Sequence, residues 1–128
     1  MRRRGGVSHT RVRFTAGDAA IIVRTADNPT SRDFVSMLPL ALEFRDFNAM
    51  EKISDLPRRL SIQGAPGRAP AAGGLIYFVP WGNLGFFYNA ARRDVTFDDR
   101  VVPIGTVEAG YEFLDDLETG PVQVERIP

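Results

Sequence analysis

The sequence feature that most constrains the fold is an apolar stretch at residues 73–89, which reads GGLIYFVPWGNLGFFYN. Two runs rich in aromatic and branched side chains, residues 75–79 and 84–88, flank a Pro-Trp-Gly-Asn tetrapeptide. Such side chains suit a pleated, half-buried surface. The proline of the tetrapeptide lacks a ladder N–H and its glycine tolerates a positive φ, so it has the chemistry of a hairpin turn. The pattern predicts a central antiparallel hairpin with alternate residues in the core.

Length and residue inventory exclude several classes of protein. A chain of 128 residues is long enough for one domain with one core. The sequence contains no cysteine, which excludes disulfides, thiol catalysis and cysteine metal sites. Its one histidine, His9, lies near the N-terminus, and this inventory disfavours zinc enzymes and catalytic triads. We therefore predict no metal site and no cofactor.

Charge and hydropathy indicate the compartment and the partners. The formal net charge is zero, so no overall field attracts nucleic acid. No run approaches the roughly 20 apolar residues of a membrane span. The basic start MRRRGGVSHT is not followed by the apolar segment of a signal peptide. We predict a disordered basic tail over residues 1–10 and a β-barrel domain over residues 11–128, in a cytoplasmic bacterial protein that binds neither nucleic acid nor membrane. Monomer and homodimer both remain open.

The order of elements predicts a mainly-β fold. Alternation and turn signals indicate short strands at residues 11–15, 19–25, 40–47, 75–79, 84–88, 101–107 and 122–127. Helical spacing indicates two short helices, one between Asn28 and Pro39 and one over residues 108–118, with a further helical turn within residues 48–60. Many short strands with two short helices favour an antiparallel barrel whose ends are capped.

Four segments, in this order, resemble the cyclophilins. They are Asn28-Pro29-Thr30 with Phe34, then Leu56-Pro57-Arg58 followed by Ile62-Gln63-Gly64, then residues 73–88 ending in Gly85-Phe86-Phe87, and finally residues 100–117. The resemblance covers about residues 11–127 and is greatest to bacterial single-domain cyclophilin-like proteins of unassigned function. It implies a closed eight-stranded antiparallel β-barrel with two short capping helices.

The resemblance also implies a site. Arg58 matches the arginine that hydrogen-bonds the prolyl carbonyl in cyclophilins, where a forked cation is needed. Gln63 matches their glutamine, and Phe87 or its neighbour Phe86 matches the pocket phenylalanine. Ser61 and Arg100 stand where the family has methionine and histidine. A guanidinium at the Arg100 position would spoil an apolar proline pocket, but it would suit an anionic ligand.

Each of these residues also has a purely structural interpretation. Arg58 could form a surface ion pair with Glu51 or Asp55, which contributes little to stability. The hairpin phenylalanines could belong to the barrel core. Trp81, an unusual residue in a turn, could pack over the barrel mouth or offer a platform on which a ligand stacks.

We predict a binding module for a small anionic ligand or peptide, with a pocket formed by Arg58, Gln63, Trp81, Phe87 and Arg100. The alternative is a peptidyl-prolyl cis-trans isomerase in which Arg58 is the electrophilic donor. A third possibility is a structural or oligomer-forming domain. The charges that line the pocket distinguish the first two, because the isomerase needs a dry proline pocket beside one arginine.

Overall fold

The computed structural model describes residues 10–64, 72–88 and 100–128. The predicted disordered tail therefore lies almost entirely outside the described residues. The same holds for most of the predicted loops at residues 64–74 and 90–100.

The described residues form nine strands, one α-helix and one 3₁₀-helix. The strands are β1 (Arg11–Ala16), β2 (Ala19–Thr25), β3 (Leu40–Leu42), β4 (Arg45–Phe47), β5 (Glu51–Asp55), β6 (Gly74–Phe78), β7 (Asn83–Phe87), β8 (Val101–Ala109) and β9 (Val122–Ile127). The helices are α1 (Pro29–Ser36) and the 3₁₀-helix (Tyr111–Thr119). Within the described ranges, neither helix is long and apolar enough to cross a bilayer.

The strands form one antiparallel sheet in the order β3-β9-β1-β2-β8-β6-β7-β5-β4. The sheet curls round its core, because the edge strands β3 and β4 are joined only by Glu43 and Phe44. The prediction of a closed eight-stranded barrel is wrong. The single strand predicted at residues 40–47 is split in two, since β3 pairs with β9 while β4 pairs with β5. No ladder joins these two edges, so the described part of the chain is a curled nine-stranded half-barrel.

The central hairpin is confirmed. β6 and β7 pair antiparallel, with Leu75 opposite Phe86 and Phe78 opposite Asn83. The turn between them places Gly82 at φ 65°, and the Gly82 N–H donates to the Phe78 carbonyl at 2.8 Å. A positive φ at this position suits glycine, which has no Cβ to clash with the backbone.

The core lies inside the curl and is centred on aromatic rings. Phe14 contacts Phe34, Phe44 and Phe86, with ring centroids 6.5, 6.2 and 4.9 Å away. From the 3₁₀-helix, Leu114 and Leu117 are buried in the same cluster. The first helix begins as predicted, because the Asn28 side chain caps it by accepting the Ser31 N–H at 2.8 Å.

The helical turn predicted within residues 48–60 is also wrong, because residues 51–55 form strand β5 between β4 and β7. The charged residues of this segment are spaced as in a helix, but pairing with strands on both sides decides the conformation. Lys52 and Ser54 are both almost fully buried, which an exposed helix would not allow.

Candidate functional site

The outside of the sheet has two chemically different faces. Arginines of β1 pair with glutamates of β8 and β9: Arg11 lies 2.6 Å from Glu108, and Arg13 lies 2.9 Å from Glu125. These pairs are partly exposed, and such pairs contribute little to stability. This face is a solvated, charge-balanced surface.

The other outer face carries an apolar cluster, which we call the outer cluster. It consists of Met50, Ile76, Phe87 and Val101, with the half-buried Phe78 packed against them. Side chains alternate along a strand. Ile76 and Phe87 therefore point away from the barrel core, into which their neighbours Tyr77 and Phe86 are packed. A sheet with packed apolar residues on both faces is unusual for an antiparallel fold, which commonly leaves one face to solvent.

Trp81 stands at the edge of the outer cluster. Its ring makes edge-to-face contacts with Phe47 and Phe78, each at a centroid distance of 5.3 Å and nearly perpendicular. Trp81 is nevertheless 53% exposed, the most exposed of the large apolar residues in the described ranges. The turn thus presents an indole that is fixed in orientation on two sides and open to solvent.

The Arg100 guanidinium lies over the ring of the same Phe78, with its central carbon 5.6 Å from the centroid. A cation over an aromatic face is attracted by the ring quadrupole. Three predicted site residues are therefore assembled around Phe78: Trp81 and Arg100 contact its ring, and Phe87 belongs to the same cluster.

Phe47 and Phe78 were not among the predicted site residues. Phe78 could have been identified from the alternation of the strand, which places it two residues from Ile76 on the same face. No sequence signal indicated Phe47, because its contact with Trp81 depends on the pairing of β4 with β5.

Arg58 is held by α1. Its two terminal nitrogens donate to the two carboxylate oxygens of Asp33, both at 2.9 Å, and one of them also donates to the Arg59 carbonyl at 3.0 Å. The partner is thus Asp33, and not the Glu51 or Asp55 considered from the sequence. The hydrogen bond from Arg58, supported by the Ser61 N–H, lowers the pKa of Asp33 to about 2.

This pair predicts a pH dependence of stability. Because the folded-state pKa of Asp33 is about 2 and the unfolded value is about 3.9, the carboxylate stabilises the fold above pH 4. That contribution is lost as the pH falls through about 4 to about 2. We expect Asp33→Asn to have a lower urea midpoint than the wild type at pH 6. Between pH 4 and pH 2 its midpoint should change less with pH than that of the wild type. Parallel curves for the variant and the wild type over this range would show that the pair contributes nothing.

The segment after Arg58 contains Arg59, which is bonded to the turn of the hairpin, and the predicted site residue Gln63. Arg59 donates to the Val79 and Pro80 carbonyls at 2.8 and 3.3 Å, and its stem lies against Gly82. Arg59 therefore supports the turn that presents Trp81. Gln63 lies in an exposed turn that follows this segment.

A second polar group lies at one end of the barrel, where the only lysine of the chain is buried. The Lys52 Nζ lies 2.6 Å from a Glu118 oxygen, 3.1 Å from Asp46 and 3.4 Å from Asp115, and 4.8 Å from the centroid of the Tyr88 ring. Tyr88 donates a hydrogen bond to Asp46. Because two of these carboxylates belong to the 3₁₀-helix, the cluster fastens that helix to the sheet.

The protonation states of this cluster follow from its contacts. Burial lowers the pKa of Lys52, but hydrogen bonds to Glu118 and Asp46 outweigh it and raise the pKa above its ordinary value. Burial and the hydrogen bond to Asp46 raise the pKa of Tyr88 to about 12. The ammonium thus stays charged and is not a nucleophile at neutral pH. Across the described ranges, no group of three or more histidine or carboxylate side chains is arranged to hold a metal ion.

An open cleft of about 370 Å³ lies where the sheet fails to close. It is lined by Ala41, Leu42, Glu43, Arg45, Ser54, Asp55 and Pro57. The charges in it are largely balanced locally, since Arg45 lies 3.7 Å from Asp55. None of the residues predicted for the site lines this cleft.

The described residues thus define a mainly-β domain built on one curled antiparallel sheet. The chain belongs to the Cyclophilin-like family, whose family model matches residues 14–125. A solved structure, the hypothetical protein AF2241 from Archaeoglobus fulgidus, is similar in fold, with a TM-score of 0.62 and 15% identity over 95% of this chain and 99% of that chain. Comparison with curated proteins finds no match.

Proposed function

We propose that this domain is a binding module, and that its ligand is a small organic anion or a peptide carboxylate bound at the rim of the outer cluster. One observation carries the proposal: the exposed Trp81 ring and the Arg100 guanidinium meet on the same Phe78 ring. Exposed apolar surface marks interaction sites, and tryptophan and arginine are among the residues that contribute most to binding energy at interfaces. Phe87 packs in the same cluster as Phe78 and therefore helps to hold the Phe78 ring in place.

The chemistry of the rim suits a ligand with a flat apolar part and a carboxylate. The indole of Trp81 offers a planar face, and the edge contacts with Phe47 and Phe78 fix its orientation before the ligand arrives. A guanidinium binds a carboxylate through two parallel hydrogen bonds, which an ammonium cannot match. Such preorganisation lowers the entropic cost of binding.

The geometry supports the isomerase alternative less well. Catalysis of prolyl isomerisation needs a donor aimed at the prolyl carbonyl against an apolar wall. The fork of Arg58 is already engaged by both oxygens of Asp33, and the Ser61 N–H donates to Asp33 as well. An Arg58 that acts as electrophilic donor would first have to leave this pair.

We therefore expect weak or absent prolyl isomerase activity. A protease-coupled assay on a peptide with an Xaa-Pro bond measures it directly, against the uncatalysed barrier of about 20 kcal/mol. A robust rate that disappears in Arg58→Ala and persists in Arg100→Gln would contradict the binding proposal and establish the isomerase.

Binding can be measured through Trp81 because it is the only tryptophan in the chain. Hippurate, which has an aromatic ring, an amide and a carboxylate, is a suitable probe. At about 0.3 kcal/mol per non-hydrogen atom, a fragment of this size should bind with a dissociation constant of about 1 mM. We expect hippurate to change the emission of Trp81 in a saturable manner, and its methyl ester, which lacks the negative charge, to bind more weakly.

Two arginine variants provide matched tests. Arg100→Gln should weaken hippurate binding about tenfold, because a charged hydrogen bond is lost. Arg58→Gln should leave the affinity within about twofold, because its guanidinium bonds to Asp33 and to the Arg59 carbonyl rather than to the outer cluster. Absence of any saturable change with hippurate, or equal losses in the two variants, would contradict a site at the rim of the outer cluster.

A further inference from the structure

A buried amide nitrogen without a hydrogen-bond partner lies on the strand that follows the Trp81 turn. Asn83 is the first residue of β7, directly after the turn that contains Trp81. Leu84 and Phe86 of the same strand point into the barrel core, so alternation places Asn83 on the opposite face, with Phe87. Its neighbours across the ladder are Asp55 on β5 and Phe78 on β6.

The Asn83 side chain is buried, and its amide nitrogen lacks a hydrogen-bond partner. The residue is 2% exposed, and its amide nitrogen has no hydrogen-bond acceptor. A buried donor without an acceptor destabilises a protein, and native structures retain few of them. Such a group calls for an explanation in the function of the protein or in its backbone.

The backbone does not require an asparagine here. The positive φ of the turn falls on Gly82, and the turn carbonyls of Val79 and Pro80 accept hydrogen bonds from Arg59. Asn83 itself has ordinary strand geometry, with pairing on both sides. An apolar residue of the same shape would meet these requirements and would remove the unsatisfied donor.

We propose that the Asn83 amide donates a hydrogen bond to a carbonyl oxygen of the ligand, and that this module therefore prefers ligands with an acyl or peptide amide group next to the apolar part. This inference rests on the proposed function and narrows its ligand class. Phe78, whose ring contacts Trp81 and Arg100, is paired with Asn83 across the ladder. One ligand can therefore reach Trp81, Arg100 and Asn83. Because the amide nitrogen is buried, the ligand reaches it only when a neighbouring side chain moves aside on binding.

The experiment compares two probes with nearly the same shape. Hippurate contains an amide carbonyl between its ring and its carboxylate, and 4-phenylbutanoate replaces that amide with methylene groups. We expect the wild-type protein to prefer hippurate about tenfold in Trp81 fluorescence titrations, since the orphan donor is satisfied only by hippurate. The Asn83→Leu variant should bind both probes with similar affinity.

A stability measurement and a control variant complete the test. Asn83→Leu should melt at the same temperature as the wild type or higher, because it removes an unpartnered buried donor. Thr30→Val is the matched control, because the Thr30 hydroxyl is also buried without a partner but lies in α1. It should not lower stability and should keep the preference for hippurate.

The outcomes separate this inference from the proposed function. If neither probe gives saturable binding, the proposed function fails and this inference fails with it. If both probes bind and Arg100→Gln weakens both, but hippurate is not preferred or the preference survives in Asn83→Leu, the site stands and the role of Asn83 is refuted. A clear loss of thermal stability in Asn83→Leu would assign Asn83 to the fold and would also refute it.

Discussion

Replacing Lys52 with methionine is expected to lower the free energy of unfolding by about 3 kcal/mol. Removing one partner of a buried ion cluster typically costs about 3–5 kcal/mol, because the opposite charges stay behind without compensation. The lower end applies here: the Lys52 side chain is 4% exposed, but the carboxylate of Asp115 is 83% exposed and stays solvated. Urea unfolding at pH 7 measures the loss.

The control is a surface pair. Arg32 bonds to Asp27 where both side chains are more than 60% exposed, so Arg32→Gln should change the free energy by less than about 1 kcal/mol. A second readout is the pH profile of Lys52→Met. The pKa of Asp46 is held below its ordinary value by the Tyr88 hydrogen bond and also by Lys52. Without the ammonium this pKa should rise, so acidification toward pH 5 should restore part of the stability. A loss below about 1 kcal/mol with no recovery would show that the cluster does not fasten the 3₁₀-helix.

Replacing Phe86 with alanine is expected to cost about 3–5 kcal/mol, the usual range for deleting a buried aromatic side chain. Phe86 is fully buried, and its ring centroid lies 4.9 Å from that of Phe14 and 5.9 Å from that of Phe44. The variant therefore loses contacts with β1 and with the segment that joins β3 to β4. Guanidinium unfolding of the wild type and the variant measures the difference.

The matched control for Phe86→Ala is Phe113→Ala on the 3₁₀-helix. Phe113 is 37% exposed, so its truncation should cost far less than that of Phe86. Hydrogen exchange gives an independent check, because the amides of β6 and β7 should open only with global unfolding. If these two strands exchange among the fastest of the described segments, the hairpin is not the centre of the fold.

The hairpin was predictable because its signals are local. The Pro-Trp-Gly-Asn turn and the flanking apolar runs predict the pairing. They leave open which of Phe86 and Phe87 faces the core, because both faces of the hairpin carry buried apolar side chains. That the sheet does not close into a barrel could not be predicted from local signals in this way. Alternation runs without interruption through Leu40, Leu42 and Phe44, and nothing in that pattern shows that the strand changes partner at Glu43.

The errors share one physical cause, which is that long-range partners decide what local spacing leaves open. Lys52 binds Glu118, 66 residues away, and this partner together with two neighbouring strands makes residues 51–55 a strand. Arg58 binds Asp33, 25 residues upstream, where the sequence offered nearer acids. Trp81 and Arg100 were predicted as site residues from local signals, namely a tryptophan in a turn and an arginine where the resemblance has histidine, and both contact Phe78.

The most direct test of the binding proposal is a hippurate titration of uniformly ¹⁵N-labelled protein, followed in amide correlation spectra. We expect saturable chemical-shift changes that cluster at five residues: Phe47, Phe78, Trp81, Asn83 and Arg100. The indole N–H of Trp81 should show one of the largest changes. The amide signals of Arg11, Arg13, Glu108 and Glu125 on the charged face should not shift. Shifts concentrated around Asp33 and Arg58, or spread evenly over the surface, would contradict a ligand site at the rim of the outer cluster.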